Sequence, residues 1–270
     1  MPHPLQRLTK HLPHPAPDSV TYPLMERLWV ATVLATIGGS LNVWALMNAG
    51  AFTTSQSGNI VASSLYLATG DWDHFFFVWG SVMCFALGVF ISGTTTFRTH
   101  ARNRSYSALI LSVEAVTIAT LALLWALQVI PTTTVGARIV ALIISFIAGV
   151  QGPAFRRVDG TSYSSVSIVM ELQGLFTTLA QPAAAAGLTT SQRRGLVSRY
   201  FFTLAGFAVG ALITGGLGAW AGWEPLAVRG NPVSGTGWSL LFPAFLSAVL
   251  VAMALYEKRS HVRLDPTDEA

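Results

Sequence analysis

Charge is what this sequence has least of. Of its 270 residues only 10% are Asp, Glu, Lys or Arg, while 52% are hydrophobic. A soluble domain needs about a quarter of its residues charged, so a water-soluble fold is excluded. The apolar content excludes intrinsic disorder as well. Cysteine is nearly absent: Cys84 stands alone inside an apolar run, which rules out an internal disulfide and leaves a side chain that packs as a small hydrophobe. The six histidines (His3, His11, His14, His74, His100 and His261) all lie in tails or loops. A serine in an apolar segment therefore has no base beside it, and the arrangement of a serine protease is missing. There is no G-x-x-x-x-G-K-[ST] loop, no H-E-x-x-H pair and no Cys/His cluster. Nucleotide-driven pumping, metal chemistry and a cofactor are not expected, and the chain is read as a non-enzyme. The 24 glycines and 13 prolines follow no collagen-like period.

What the sequence has instead is long apolar runs. A bilayer crossing takes about 20 apolar residues, and six segments provide them: 28–48, 75–97, 107–130, 132–155, 200–222 and 238–256. Two more, 53–69 and 163–187, are helical in period but rich in Ser, Thr, Gln, Gly and Asn. The basic residues choose between crossing and re-entry for these two. With both re-entrant and the N-terminus inside, 14 of the 16 Lys and Arg are cytoplasmic, and Arg138 and Arg229 are outside. If both cross, the split falls to 10 against 6. The basic-inside bias selects six crossings and two re-entrant segments. Asp71–His74 then faces outward, with Trp72, Trp220, Trp223 and Trp238 at the outer interface. The net charge of +4 reflects this topology, not a nucleic-acid partner. Residues 1–27 and 257–270 are expected as cytoplasmic tails. No signal-peptide core precedes the first apolar run, which is expected to act as an uncleaved signal. The partners implied are the lipid bilayer and an unidentified small solute.

The two halves of the sequence resemble each other. At a shift of 110 residues, Ile37, Gly39, Gly50, Ser55, Ser57 and Leu65 meet Ile147, Gly149, Gly160, Ser165, Ser167 and Leu175. At a shift of 122, Phe85, Ala86, Gly88, Ile91 and Gly93 meet Phe207, Ala208, Gly210, Ile213 and Gly215. Each unit, 28–130 and 131–256, reads as long helix, short polar segment, long helix, long helix. Three crossings per unit put the second unit upside down. The fold class is thus all-α and polytopic, with two inverted three-helix repeats, each holding a short re-entrant polar helix.

Polar backbone at membrane depth must face protein or a wet cavity, which makes Gln56, Ser57, Gly58 and Asn59 candidate solute contacts. The structural alternative is hydrogen bonding between helices, with Gly58 allowing close approach. Ser165 and Ser167 are their counterparts at the 110 shift. Asn42 and Gln151 occupy neighbouring repeat positions and either line a cavity or bond between helices. Glu114 and Glu171 are acids within apolar segments. Such acids pair, face water or couple transport to a proton or ion. Arg156 and Arg157 read as topology anchors. Gly88, Gly93, Gly210 and Gly215 read as helix-packing glycines.

The run Gly39-Ser40-Leu41-Asn42, then Phe52, then Gln56-Ser57-Gly58-Asn59 resembles the first signature of the YoaK-like family, bacterial multi-pass membrane proteins of unknown function. That signature is G-x-x-D, F and T-G-N. Asn42 stands at its Asp position and Ser57 at its Thr. The second signature, G-x-Q-N followed by an arginine and T-G, corresponds to Gly149-Val150-Gln151-Gly152, Arg156 and Ser165 to Ile168. The resemblance implies a bacterial inner-membrane location.

Overall fold

Apolar runs of this length can satisfy their backbone in hydrocarbon only as helices, and helices dominate the computed structural model. The structure describes residues 24–100, 107–155, 157–158, 161–162, 168–182, 187–222 and 234–263. Among them the helices are α1 (Leu28–Ala49), α2 (Gln56–Thr69), α3 (Trp72–His100), α4 (Ser107–Ala126), α5 (Thr134–Ala154), α6 (Ile168–Ala180), α7 (Thr190–Trp220) and α8 (Leu241–Arg263). A 3-10 turn, Leu24–Glu26, precedes α1, and a 3-10 run, Ser234–Leu240, leads into α8. Six helices, all but α2 and α6, are long and apolar enough to cross a bilayer, so the chain is a multi-pass membrane protein. These are the six segments the apolar runs predict.

Two boundaries differ from the apolar runs for local reasons. Helix α7 begins at Thr190, ten residues before the expected span, because Thr189 and Gln192 form a capping box that starts the helix in polar sequence. Helix α4 stops at Ala126, before the expected 130, and Gln128 just beyond it takes a left-handed φ of 57°. The all-α reading holds among the described residues; beside the helices there is only one two-residue antiparallel pairing, Arg157–Val158 with Thr161–Ser162.

Helix α1 is the hub, burying Val30, Leu34, Ile37, Leu41, Trp44 and Ala45. It packs along α7, while α3 packs along α5 and α4 along α8. Many of the exposed residues on the other helices are large and apolar, including Phe90, Val116, Leu212 and Phe245, as lipid contact requires. The contacts also fix direction. Thr32 lies against Gly206 and Val43 against Gly215, so α1 and α7 are parallel. Asp73 pairs with Arg138 and Gly80 lies against Leu142, so α3 and α5 are parallel. Trp125 meets Gly237 while Glu114 meets Ser247, so α4 and α8 are antiparallel. The edge-on contact of Trp44 with Trp125 puts the late turns of α1, α4 and α7 at the end where α3 and α5 begin. Asp71 and Arg193 therefore lie at opposite ends of the bundle.

The two parallel pairs approach at backbone distance. A Cβ at Gly39 would overlap the carbonyl of Phe207, and one at Gly210 the carbonyl of Thr36. In the other pair, a Cβ at Gly149 would overlap the carbonyl of Phe85, and one at Gly88 that of Phe146. Small residues allow such approach between membrane helices. Gly93 faces open space and Gly215 meets only Val43 at 3.8 Å, so of the four glycines singled out in the sequence, Gly88 and Gly210 carry the packing.

Gly39→Leu and Gly149→Leu should each destabilise the protein by about 1–3 kcal/mol, the usual cost of overpacking. Gly93→Leu should be neutral. Thermal unfolding in detergent, followed by tryptophan fluorescence, checks the contrast.

Candidate functional site

Helix α1 ends at Gly50, whose φ of 74° suits glycine and whose N–H bonds back to the carbonyls of Ala45 and Leu46. The chain then doubles back along the helix it has just left. The backbone N–H groups of Thr53 and Thr54 donate to Asn42 Oδ1 at 3.0 and 2.8 Å. Asn42 Nδ2 donates to Thr54 Oγ1 at 2.6 Å and Ser55 Oγ at 3.0 Å. Asn42 lies seven residues before Ala49, so the chain has returned by about 10 Å before α2 begins at Gln56.

A second asparagine closes the far side of this turn. Asn59 Oδ1 accepts from the N–H of Phe52 at 3.0 Å. Its Nδ2 donates to the Phe52 carbonyl at 2.6 Å, Gln56 Oε1 at 2.8 Å and Ser81 Oγ at 3.2 Å. Gln56 Nε2 donates to the Thr53 carbonyl at 2.8 Å. Ser81 on α3 donates to the Phe52 carbonyl at 3.1 Å and shares a 2.8 Å bond with Ser145 on α5. One network therefore joins α1, α2, α3 and α5 in the middle of the bundle. Its chemistry follows from the break in the helix. Backbone groups freed inside hydrocarbon need partners, and an asparagine amide offers both a donor and an acceptor.

The other end of α2 is pinned at its turn into α3. Gly70 takes φ 75°, and Tyr66 stacks on His74 at 5.1 Å. The His74 ring lies 2.8 Å from Asp71 Oδ2, and its backbone N–H donates to Oδ1 at 3.2 Å. These bonds hold the exposed Asp71 carboxyl below its ordinary range. Arg138, on α5, bonds Asp73 at 2.7 Å and covers the Phe77 ring.

Of the candidate residues, Asn42, Gln56 and Asn59 come together. Ser57 does not join them: it points outward and is exposed. Gly58 lies under the Phe52 ring, where a Cβ would sit 3.0 Å from two ring carbons. Gln151 is fully buried on α5, and neither atom of its amide has a hydrogen-bond partner among the described residues. Ser165 and Ser167 lie outside the described residues, as does Arg156. Glu114 is buried on α4, with one oxygen 3.5 Å from Ser247 Oγ and the other without a partner among the described residues. Glu171 is buried on α6, and both it and Arg199 act electrostatically on Tyr200. The Tyr200 ring occupies the space beside Gly174, and Arg193 donates to the carbonyls of Thr178 and Leu179 at the end of α6. Helix α6 therefore runs back along α7, as α2 does along α3. Ser81 and Ser145 escaped the sequence reading because each is a lone serine in an otherwise apolar run. Their signal exists only across helices.

A family model described as a protein of unknown function (DUF1275) matches residues 30–253, from the first turn of α1 to the middle of α8. The chain belongs to the DUF1275 family. No curated protein and no solved structure matches it.

For this DUF1275 protein, the Asn42 contacts make a sharp prediction. Asn42→Ala removes the acceptor for two backbone N–H groups, at about 1–3 kcal/mol each. Asn42→Asp keeps that acceptor, and the Thr54 and Ser55 hydroxyls can turn to donate to it. The thermal midpoint in detergent should drop clearly for Asn42→Ala and much less for Asn42→Asp.

Proposed function

We propose that this protein moves a small polar solute across the bacterial inner membrane as a YoaK-like member of its family. The observation that carries the reading is the hydrogen-bonded break between α1 and α2, held by Asn42 and Asn59 in the middle of the bundle. Interrupted segments at membrane depth are a hallmark of carriers and channels, which hold their solute between two inverted repeats.

The glycine contacts support the repeat. The contact of Gly39 with Phe207 has Gly149 with Phe85 as its counterpart under the sequence shifts of 110 and 122. The contact of Gly210 with Thr36 has Gly88 with Phe146. In this scheme the repeats are 28–130 and 131–256, and the re-entrant segments are 53–69 and 163–187. Both tails, 1–27 and 257–270, are cytoplasmic. The positions of Arg27, Arg193, Arg194 and Arg199 at the end opposite Asp71 favour that orientation. In this scheme the solute sits between 53–60 and 163–171, and the buried amide of Gln151 is a further candidate contact. No step of this reading requires catalysis or a cofactor.

One observation favours a second reading, a non-transporting assembly or sensor protein. Every donor and acceptor of Asn42 and Asn59 is engaged within the protein. A solute would have to displace one of these bonds or use Gln151.

The test is uptake into proteoliposomes from a panel of labelled amino acids, sugars, nucleosides and small ions. At least one solute should accumulate, and Asn59→Ala and Gln151→Ala should lower its uptake in correctly folded protein. If no solute enters, the second reading stands. Cysteines at 71 and 193, in a Cys84→Ser background, should label from opposite faces of the membrane. Labelling from one face would end the inverted-repeat scheme.

A further inference from the structure

We infer that the ion coupled to this transport is a proton and that Glu114 binds it, in the interface of α4 and α8. The inference rests on the transport reading and names the coupling site. Glu114 is only 1% exposed. It lies on the buried stripe of α4 with Leu111, Ile118 and Trp125. One oxygen is 3.5 Å from Ser247 Oγ, at the limit of a hydrogen bond, and the other has no partner among the described residues. A carboxyl kept for structure is normally bonded through both oxygens. This one keeps an acceptor open.

No described charge compensates it. Helix α4 has no other titratable residue. On α8, Tyr256, Glu257, Lys258, Arg259, His261 and Arg263 all lie more than two turns beyond Ser247. The Ser234–Leu240 run has no titratable residue, and neither has α1 between Leu28 and Ala49. Glu26 and Arg27 precede α1, at the end nearer Glu114. Arg138, the one charged residue of α5, is paired with Asp73 at the other end of the bundle.

These surroundings select the ligand. A metal cation of the hard kind needs six or more oxygen ligands, or a retained water shell. Glu114 and Ser247 supply one carboxyl group and one hydroxyl. A proton needs a single oxygen. Its arrival forms one O–H bond and cancels the carboxylate charge, its departure restores that charge, and no other bond changes. An unpaired buried carboxylate is costly in hydrocarbon, so gaining or losing the proton changes how readily α4 and α8 stay packed. Glu171 is the weaker candidate, since it already acts on Tyr200 beside Arg199.

The experiment is infrared spectroscopy of the purified wild type, Glu114→Gln and Ser247→Ala in phosphatidylcholine–phosphatidylglycerol vesicles. The wild type should show a protonated-carboxyl C=O band that shifts in D2O and disappears as pH rises. Glu114→Gln should lack that band, and Ser247→Ala should keep it at a shifted frequency and midpoint. Absence of the band, or a band blind to D2O and pH, overturns the inference. In the same vesicles an imposed pH gradient should drive solute accumulation by the wild type, with that accumulation lost in Glu114→Gln. Accumulation that ignores the gradient also overturns it. If no solute enters at all while the band titrates, the transport reading fails and proton exchange at Glu114 stands.

Discussion

A peptide group inside hydrocarbon must find a partner within the protein, and in this bundle the requirement is hardest to meet where α1 stops and the chain turns back. A helix end leaves several carbonyls and N–H groups without intrahelical partners. At the surface of a soluble protein, water takes them. Between Gly50 and Gln56 the chain uses Asn42 and Asn59 instead. Asn42 receives two successive N–H groups, and Asn59 bonds both the N–H and the carbonyl of Phe52. Each side chain does the work of an adjacent strand. The turn exists at this depth because these two residues stand opposite it.

The same constraint governs how the long helices meet. In lipid the apolar side chains gain little from one another, so association relies on close packing and on polar contacts. Gly39 and Gly210 bring α1 onto α7, and Gly88 and Gly149 bring α3 onto α5. Where backbones touch, small polar residues reach across. Ser40 donates to the Gly210 carbonyl at 3.1 Å, and Ser81 meets Ser145 at 2.8 Å. The glycines and the asparagine network meet at Ser81, which bonds the Phe52 carbonyl and, because α3 lies so near α5, Ser145 as well.

The six long helices were legible in the sequence because apolar length is a local signal. The polar break at 53–59 was legible for the same reason, since Gln, Ser and Asn interrupt the run. What faces what was not. Ser57 and Asn59 are two residues apart and equally polar, yet one faces outward and the other bonds Phe52, Gln56 and Ser81. Only the rotation of α2 against α3 decides this. Gly88 and Gly93 looked equivalent, and only the crossing point of α3 and α5 separates them. The capped start of α7 at Thr190 was missed because hydropathy does not register a polar helix end, although the Thr189 and Gln192 spacing could have revealed it. The paired strands at 157–158 and 161–162 are too short for any periodicity to show.

The halves differ in how they use polar side chains. In the first, the groups at the break satisfy one another. In the second, the residue 122 positions after Ser81 is Thr203, fully buried with a hydroxyl that has no partner among the described residues. The residue 110 positions after Leu41, beside the Asn42 position, is Gln151, whose amide is equally unengaged. Burying such groups without bonds costs stability. The first break thus has the chemistry of a fixed support, whereas the second half buries polar groups that no described residue satisfies.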